Sequence, residues 1–344
     1  MTQLQLALVV LSVAAFNWLL VGWLRNILRD NNVVDNVNER TLHAGVIARG
    51  GGLAIAITLV LGLLVMAAVS GRWLALGMLA ALVTGWSVLS FYDDKHQLNP
   101  APRLAVQTAL AATTIAAFGY IDVIQYSNES YLLLGWLGAP LTLIGVLWLA
   151  NLYNFMDGMD GLAAAQTIIA SVTLAIWLWQ FGDQSLAVVC LLLMAASYGF
   201  LLHNWHPASI FLGDVGSITI GAFFASLIII GSHRYQFPVI SFVLLFGVFV
   251  TDASLTIARR ILRREAFWLP HRSHYYQRLA MTGMSHHKIV ISAILLMSIC
   301  AVLATISLIY RDRILLCILL ELLLLAAGVF LVRRSERRTP PQIA

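Results

Sequence analysis

Two aspartates stand side by side in the run Phe91-Tyr92-Asp93-Asp94-Lys95. Adjacent carboxylates repel one another and are tolerated where a cation or a proton compensates. A solvated helix end with Lys95 as counter-ion is the plainer alternative. Arg103 can face the same cavity from the start of the next apolar run. A second group, Asn151, Asn154, Asp157 and Asp160, recurs every three residues. On a helix that spacing gives one slowly drifting polar stripe, and oxygen-bearing side chains on one stripe suit a hard cation such as magnesium. Gly158 and Gly161 follow the two acids, break the helix and expose backbone amides. A helix cap at Asp160 accounts for one of these four residues. A third group is Phe211-Leu212-Gly213-Asp214-Val215-Gly216-Ser217. Its glycines let backbone approach a ligand, and the helix start behind them favours phosphate. Asp214 reads as a metal ligand, with a plain cap as the alternative.

The fourth group, His271-Arg272-Ser273-His274-Tyr275-Tyr276, follows Pro270 in a basic stretch from Arg259 to Lys288. Two histidines around an arginine can hold a pyrophosphate as donors and charges. Zinc is the sharper alternative, but no cysteine is near. Arg259, Arg260, Arg263 and Arg264 read as a basic surface for anionic lipid, and Asp252, on the same helical face, as an ion-pair partner. A softer group runs from Arg40 and His43 to Arg49-Gly50-Gly51-Gly52. Its glycines serve tight helix packing or a phosphate-contacting loop, and no Walker or dinucleotide pattern is present. Acids for a divalent metal, Arg and His for phosphates, and glycine loops together suit phosphoryl transfer between a soluble nucleotide compound and a lipid phosphate. That chemistry needs positioning and charge neutralisation more than covalent help, and a metal bridging two phosphates supplies the Lewis acid.

The elements that must position these groups are transmembrane. Of 344 residues, 60% are hydrophobic and 11% charged, against about 45–50% and about 25% in soluble domains. That excludes disorder and a soluble fold of this size. Cys190, Cys300 and Cys317 lie in apolar runs and read as packing residues, not a disulfide framework. Eleven apolar runs are long enough, or nearly so, to cross a bilayer: 3–24, 50–70, 73–91, 103–119, 139–155, 161–181, 185–203, 216–232, 237–258, 287–310 and 314–332. The first reads as a retained span, not a signal peptide. The fold class is therefore an all-α integral membrane protein. Residues 1–344 form a single polytopic domain, and 333–344 a basic tail.

Of the 21 Lys and Arg, 17 fall in one set of loops and Arg72, Arg234, Arg311 and Arg313 in the other. The positive-inside rule makes the first set cytoplasmic, with the N-terminus outside and the C-terminus inside. All four chemical groups then face the cytoplasm. The net charge of +5 suits lipid heads or phosphates, and nothing suggests nucleic acid. A secondary transporter, the main rival, predicts mid-span charges and internal repeats. Glu321 is the one mid-span acid, with no partner visible in the sequence.

These residues resemble the polyprenyl-phosphate N-acetylhexosamine-1-phosphate transferases. The likeness rests on Asp93-Asp94, the run Asn151 to Leu162, the loop Phe211 to Ser217 and the His/Arg loop, and spans about residues 40 to 280. The resemblance implies a bacterial inner-membrane enzyme with its active site on the cytoplasmic face, most similar to the branch that starts O-antigen and related glycans. It implies that undecaprenyl phosphate attacks the β-phosphate of a UDP-N-acetylhexosamine, giving undecaprenyl-pyrophosphoryl-sugar and UMP. Magnesium is the implied cofactor, with manganese as substitute, and a homodimer the implied assembly.

By position Asn154 and Asp214 resemble the metal ligands, Asp160 the uracil reader and Phe211 the ring stacked on uracil. Arg103, Arg272 and His274 resemble pyrophosphate and sugar-phosphate contacts, with Asn151, Asp157, His271 and His43 as further substrate-binding positions. Asp93 or Asp94 would position or deprotonate the lipid phosphate. A phosphate monoester with a second pKa of about 6 is mostly ionised at neutral pH, which favours positioning. The loop Pro270-His271-Arg272-Ser273-His274 lacks the three consecutive histidines of the branch that makes phospho-N-acetylmuramoyl-pentapeptide lipids, and so argues against that substrate.

Overall fold

The computed structural model describes residues 2–35, 47–265 and 271–338. In hydrocarbon every backbone N–H and C=O must be satisfied within its own segment, so apolar runs of this length form helices. The first half contains α1 (Gln3–Asp30), β1 (Val34–Asp35), β2 (Ile47–Arg49), α2 (Gly52–Ser70), α3 (Trp73–His96), α4 (Pro100–Phe118), β3 (Val123–Gln125), β4 (Tyr131–Leu133) and α5 (Gly138–Phe155). The second half contains α6 (Leu162–Gln180), α7 (Gln184–Asn204), β5 (Ile210–Phe211), α8 (Asp214–Tyr235), α9 (Val239–Leu245), α10 (Gly247–Leu262), α11 (Tyr275–Met281), α12 (His286–Ile309) and α13 (Ile314–Arg338).

Among the described residues nine helices are long and apolar enough to cross a membrane, or ten if α9 and α10 count as one span. The expected run 237–258 is therefore not a straight span: it breaks at Phe246–Gly247, and the two pieces meet at 82°. The expected run 103–119 is helical as α4, but α4 is not among the nine. Its first turns carry Pro100, Pro102, Arg103 and Gln107, which cost it apolarity. Glu321 packs against Gly247 at the break, and its Oε2 finds no hydrogen-bond partner among the described residues.

Burial orders the bundle. The apolar stretch of α8 is 83% buried, whereas those of α1 and α13 are 11% and 22% buried. So α8 is the central post, packed by α2, α3 and α5, while α1 and α13 turn their apolar faces outward, as lipid-facing helices do. The N-terminus of α8 thus lies at the middle of one end of the bundle. Around it a small sheet joins distant parts of the chain: β1 pairs antiparallel with β2, and β2 parallel with β5, setting Arg49 beside Phe211.

The glycine triplet serves packing. A Cβ on Gly52 would collide with the backbone of Gly216, so α2 and α8 start in direct backbone contact. Ahead of them, Gly50 and Gly51 donate N–H bonds of 3.1 and 2.9 Å to the Phe211 carbonyl. At the opposite end of the bundle β3 and β4 form a short hairpin. There the Arg72 guanidinium pairs with Asp183 at 2.6 Å, and the Tyr235 hydroxyl donates to the same carboxylate.

Candidate active site at the start of the central helix

Asp94, at the end of α3, accepts the backbone N–H groups of Asp214 and Val215 at 3.1 and 2.9 Å. It therefore caps α8 from another helix, where a carboxylate meets unsatisfied amides and the positive end of the helix dipole. Gly213, with φ of +75°, makes this possible: a Cβ there would sit 3.0 Å from both Asp94 Oδ2 and the Gly50 nitrogen. Asp214 is thus freed from capping its own helix, the alternative open in the sequence. Its side chain instead accepts 2.8 Å from the amide of Asn154, which also reaches Ser217 Oγ at 3.1 Å.

Arg49 bridges the two acids. Its Nε lies 2.9 Å from Asp94, and its terminal nitrogen pairs with Asp214. Arg103 Nη1 pairs with Asp93 at 2.9 Å and lies 3.9 Å from Asp214. Asp93 also accepts the Leu98 N–H at 2.8 Å. The adjacent aspartates therefore avoid repulsion by dividing: Asp94 faces α8 and Arg49, Asp93 faces Arg103 and the turn after α3. Arg49 is the member sequence reasoning undervalued. Its signal was one arginine before three glycines; strand pairing across 162 residues places it.

The polar stripe does not survive as one face. α5 ends at Phe155, so helical spacing governs Asn151 and Asn154 only. Asn151 turns to Gln107 of α4, at 3.1 Å. Asp157 stays within electrostatic reach of Arg49, Asp214, Asp94 and Asp160. Burial holds its carboxyl well above the usual range; Arg49 opposes that rise, and the neighbouring acids reinforce it. Asp160 leaves the cluster and accepts 2.7 Å from His206 and 3.1 Å from the Ala208 N–H. It does not cap α6, whose cap position is Gly161. Asn204 accepts the Gly161 N–H at 2.9 Å and donates to the Ile210 carbonyl, so it ties the start of α6 to β5. Neither Asn204 nor His206 stood out in the sequence, because the run His203-Asn204-Trp205-His206 has no spacing that by itself points to a chemistry.

The His/Arg loop reaches the same end of the bundle through Asp252. That carboxylate accepts from His274 Nδ1 at 3.0 Å and from the Tyr275 and Tyr276 N–H groups at 3.0 and 3.2 Å. It caps α11, which replaces the expected ion pair with the arginines, and fixes the orientation of the buried His274 ring. Tyr276 donates to the Phe155 carbonyl at 3.2 Å, and the His274 ring stacks on Phe155 at 6.3 Å. The loop is thereby fastened to the end of α5. His271 accepts the Ser273 N–H or hydroxyl at Nδ1. Burial, then the neighbouring His274, Arg260 and Arg259, push it down to about 4. It is neutral at pH 7, so Arg272 beside it carries the charge of this loop. Arg272 is half-buried. His43 lies outside the described residues.

Asp214 and Asn154, side by side at the start of α8, offer oxygen donors of the kind a hard divalent cation takes. Asn154 would offer its oxygen after a half-turn of the amide.

Residues 74–232 match the family model described as glycosyl transferase family 4. A probable undecaprenyl-phosphate N-acetylglucosaminyl 1-phosphate transferase of Bacillus subtilis (strain 168) is 32% identical over 264 residues, 75% of this chain and 72% of that one. The chain belongs to glycosyl transferase family 4. A decaprenyl-phosphate N-acetylglucosaminephosphotransferase of Mycobacterium tuberculosis is 28% identical over 379 residues, covering 98% of this chain and 92% of that one. A phospho-N-acetylmuramoyl-pentapeptide-transferase of Aquifex aeolicus is 28% identical over 286 residues, with 74% and 77% covered. Within the family-4 match lie Asp93, Asp94, Arg103, Asn154, Asp157, Asp160, Phe211 and Asp214. Arg49 and the loop His271–His274 lie beyond it, and the fold brings them in.

Proposed function

We propose that this chain transfers an N-acetylhexosamine-1-phosphate, or a deoxy derivative, from a UDP-sugar to undecaprenyl phosphate at the cytoplasmic face of a bacterial inner membrane. The product would start a lipid-linked glycan of the O-antigen kind. The observation that carries this is the convergence of Asp214, Asp94, Asp157 and Asn154 with Arg49 and Arg103 at the buried start of α8. Paired acids with two guanidiniums serve a substrate rich in phosphate. A lipid-facing bundle around them serves a second substrate that stays in the bilayer. A cavity of about 360 Å³ between α5, α8, α9 and α10, lined by residues such as Leu141, Trp148, Phe242 and Val250, offers isoprenoid chains an apolar wall beside the helix break.

In the proposed reaction an oxygen of the lipid phosphate forms a bond to the donor's β-phosphorus. The bond from that phosphorus to the bridging oxygen breaks, and UMP leaves. Asp214 and Asn154 would hold magnesium, or manganese, which when bound neutralises charge on the pyrophosphate. Arg103, held by Asp93, would join Arg272 and His274 in contacting the donor's pyrophosphate and sugar phosphate. Phe211 would stack on the base, with Asp160 reading its edge. The nucleophile is ionised at neutral pH, so Asp93 and Asp94 position it without serving as its base. The test uses purified protein, undecaprenyl phosphate, magnesium and a panel of UDP-N-acetylhexosamines. Magnesium-dependent UMP release with one sugar is expected; folded protein that releases none with any sugar would refute the reading.

A further inference from the structure

Away from Asp214, the chain brings together a different set of donors. Asp160 precedes α6, His206 lies between α7 and β5, and His286 opens α12. One ligand atom from each lies within 4.8 Å of the others, and among the described residues no other trio of His, Cys, Asp or Glu does so. The rings of His206 and His286 are 4.4 Å apart at 37°. His206 is oriented by Nδ1 on Asp160 Oδ2, and the Ala208 N–H fixes the same oxygen. Nδ1 of His286 is shielded from solvent and has no hydrogen-bond partner among the described residues. A buried imidazole nitrogen without a partner is costly, and a metal ion would satisfy it. All three residues are half-buried, so an ion can reach them.

We propose that Asp160, His206 and His286 form a second metal site, for zinc or a similar borderline divalent transition ion. Two imidazoles and one carboxylate with an open fourth position suit zinc. Magnesium, which takes oxygen donors, would not select them. Ligand atoms around tetrahedral zinc sit roughly 3.3–3.6 Å apart, given bonds of about 2.0–2.2 Å, so small side-chain rotations close the site. The ion would pin the start of α12 to the loops before α6 and β5. Asp160 is also the residue proposed above to read the base, but zinc binding is measured without nucleotide or lipid, so its failure and that of the transferase reading are distinguishable.

The experiment titrates full-length protein, free of any polyhistidine tag and stripped of metal, with zinc against a chromophoric chelator. One equivalent should bind, and zinc should raise the unfolding temperature by mass action. His206→Ala and His286→Ala should each weaken binding by more than the about 10–100-fold that losing a ligand-orienting group costs. His287→Ala, the adjacent histidine outside the trio, should leave affinity within about threefold, below that range. X-ray absorption should show two imidazoles at about 2.0–2.2 Å. Should His206→Ala fail to fold, His286→Ala at the edge of α12 decides. No stoichiometric binding, unchanged affinity in His286→Ala, equal loss in His287→Ala, or a spectrum without imidazole would each overturn the proposal.

Discussion

At the scale of residues, the site works by dividing labour between like groups. Asp93 and Asp94 are neighbours in sequence yet answer to different arginines, and Asp94 spends its oxygens on the amides of α8. That leaves Asp214 with Asn154, Arg49 and Arg103 around it. Asp214→Ala and Asn154→Ala should each lower turnover by at least about 10²–10³-fold, the usual cost of one group that stabilises developing charge. Both should still elute from a sizing column as folded protein. UMP release near the wild-type rate in either variant would break the metal assignment. Arg338→Ala, at the far end of α13, should leave the rate within about twofold, as exposed charges remote from a site do. A complete loss there would mean that the chemistry happens elsewhere.

At the scale of elements, backbone proximity does what side chains cannot. Gly52 and Gly216 let α2 and α8 begin in contact, and Gly213 admits Asp94. Gly52→Ala must push backbone aside, so it should lower stability by about 1–3 kcal/mol and reduce activity by shifting Asp214. Gly77→Ala meets no atom within 4 Å and should be neutral or slightly stabilising in thermal unfolding. Equal behaviour of the two variants would show that the helices do not need their close approach. The glycine triplet was visible in the sequence, with packing and phosphate binding both open. The collision of an added Cβ with Gly216 favours packing, and no pattern within one chain segment could have shown that partner.

At the scale of the whole molecule, the two ends of the bundle carry different charge chemistry. The end opposite the site is clamped by Arg72, Asp183 and Tyr235, from three separate elements. Burial alone would raise Asp183, but hydrogen bonds from Arg72, Tyr235 and the Leu186 N–H outweigh it and hold its carboxyl below the usual range. A carboxylate held lower in the folded state stabilises above its unfolded value, about 3.9, and loses that contribution as pH falls through the folded one. Asp183→Asn should therefore lower the unfolding temperature at pH 7, at a cost of roughly 1–3 kcal/mol. The gap to wild type should shrink as pH falls below about 4. A gap that is constant from pH 7 to pH 3 would remove the charge from the explanation.

The sequence by itself determined the class of fold and the residue types of the chemistry. Apolar runs of bilayer length admit only helices, and acids, arginines and glycines in four motifs announce phosphate work. It did not determine where the polar stripe ends: residue spacing has a face only while the helix lasts, and α5 stops before Asp157. It did not foresee the 82° break within the run 237–258, because hydropathy is blind to direction. Tertiary structure alone brought in Arg49 through strand pairing, made Asp94 a cap for α8 and Asp252 one for α11, and gathered Asp160, His206 and His286. Each depends on contacts between residues far apart in the chain, and such contacts are fixed by packing, which no local pattern encodes.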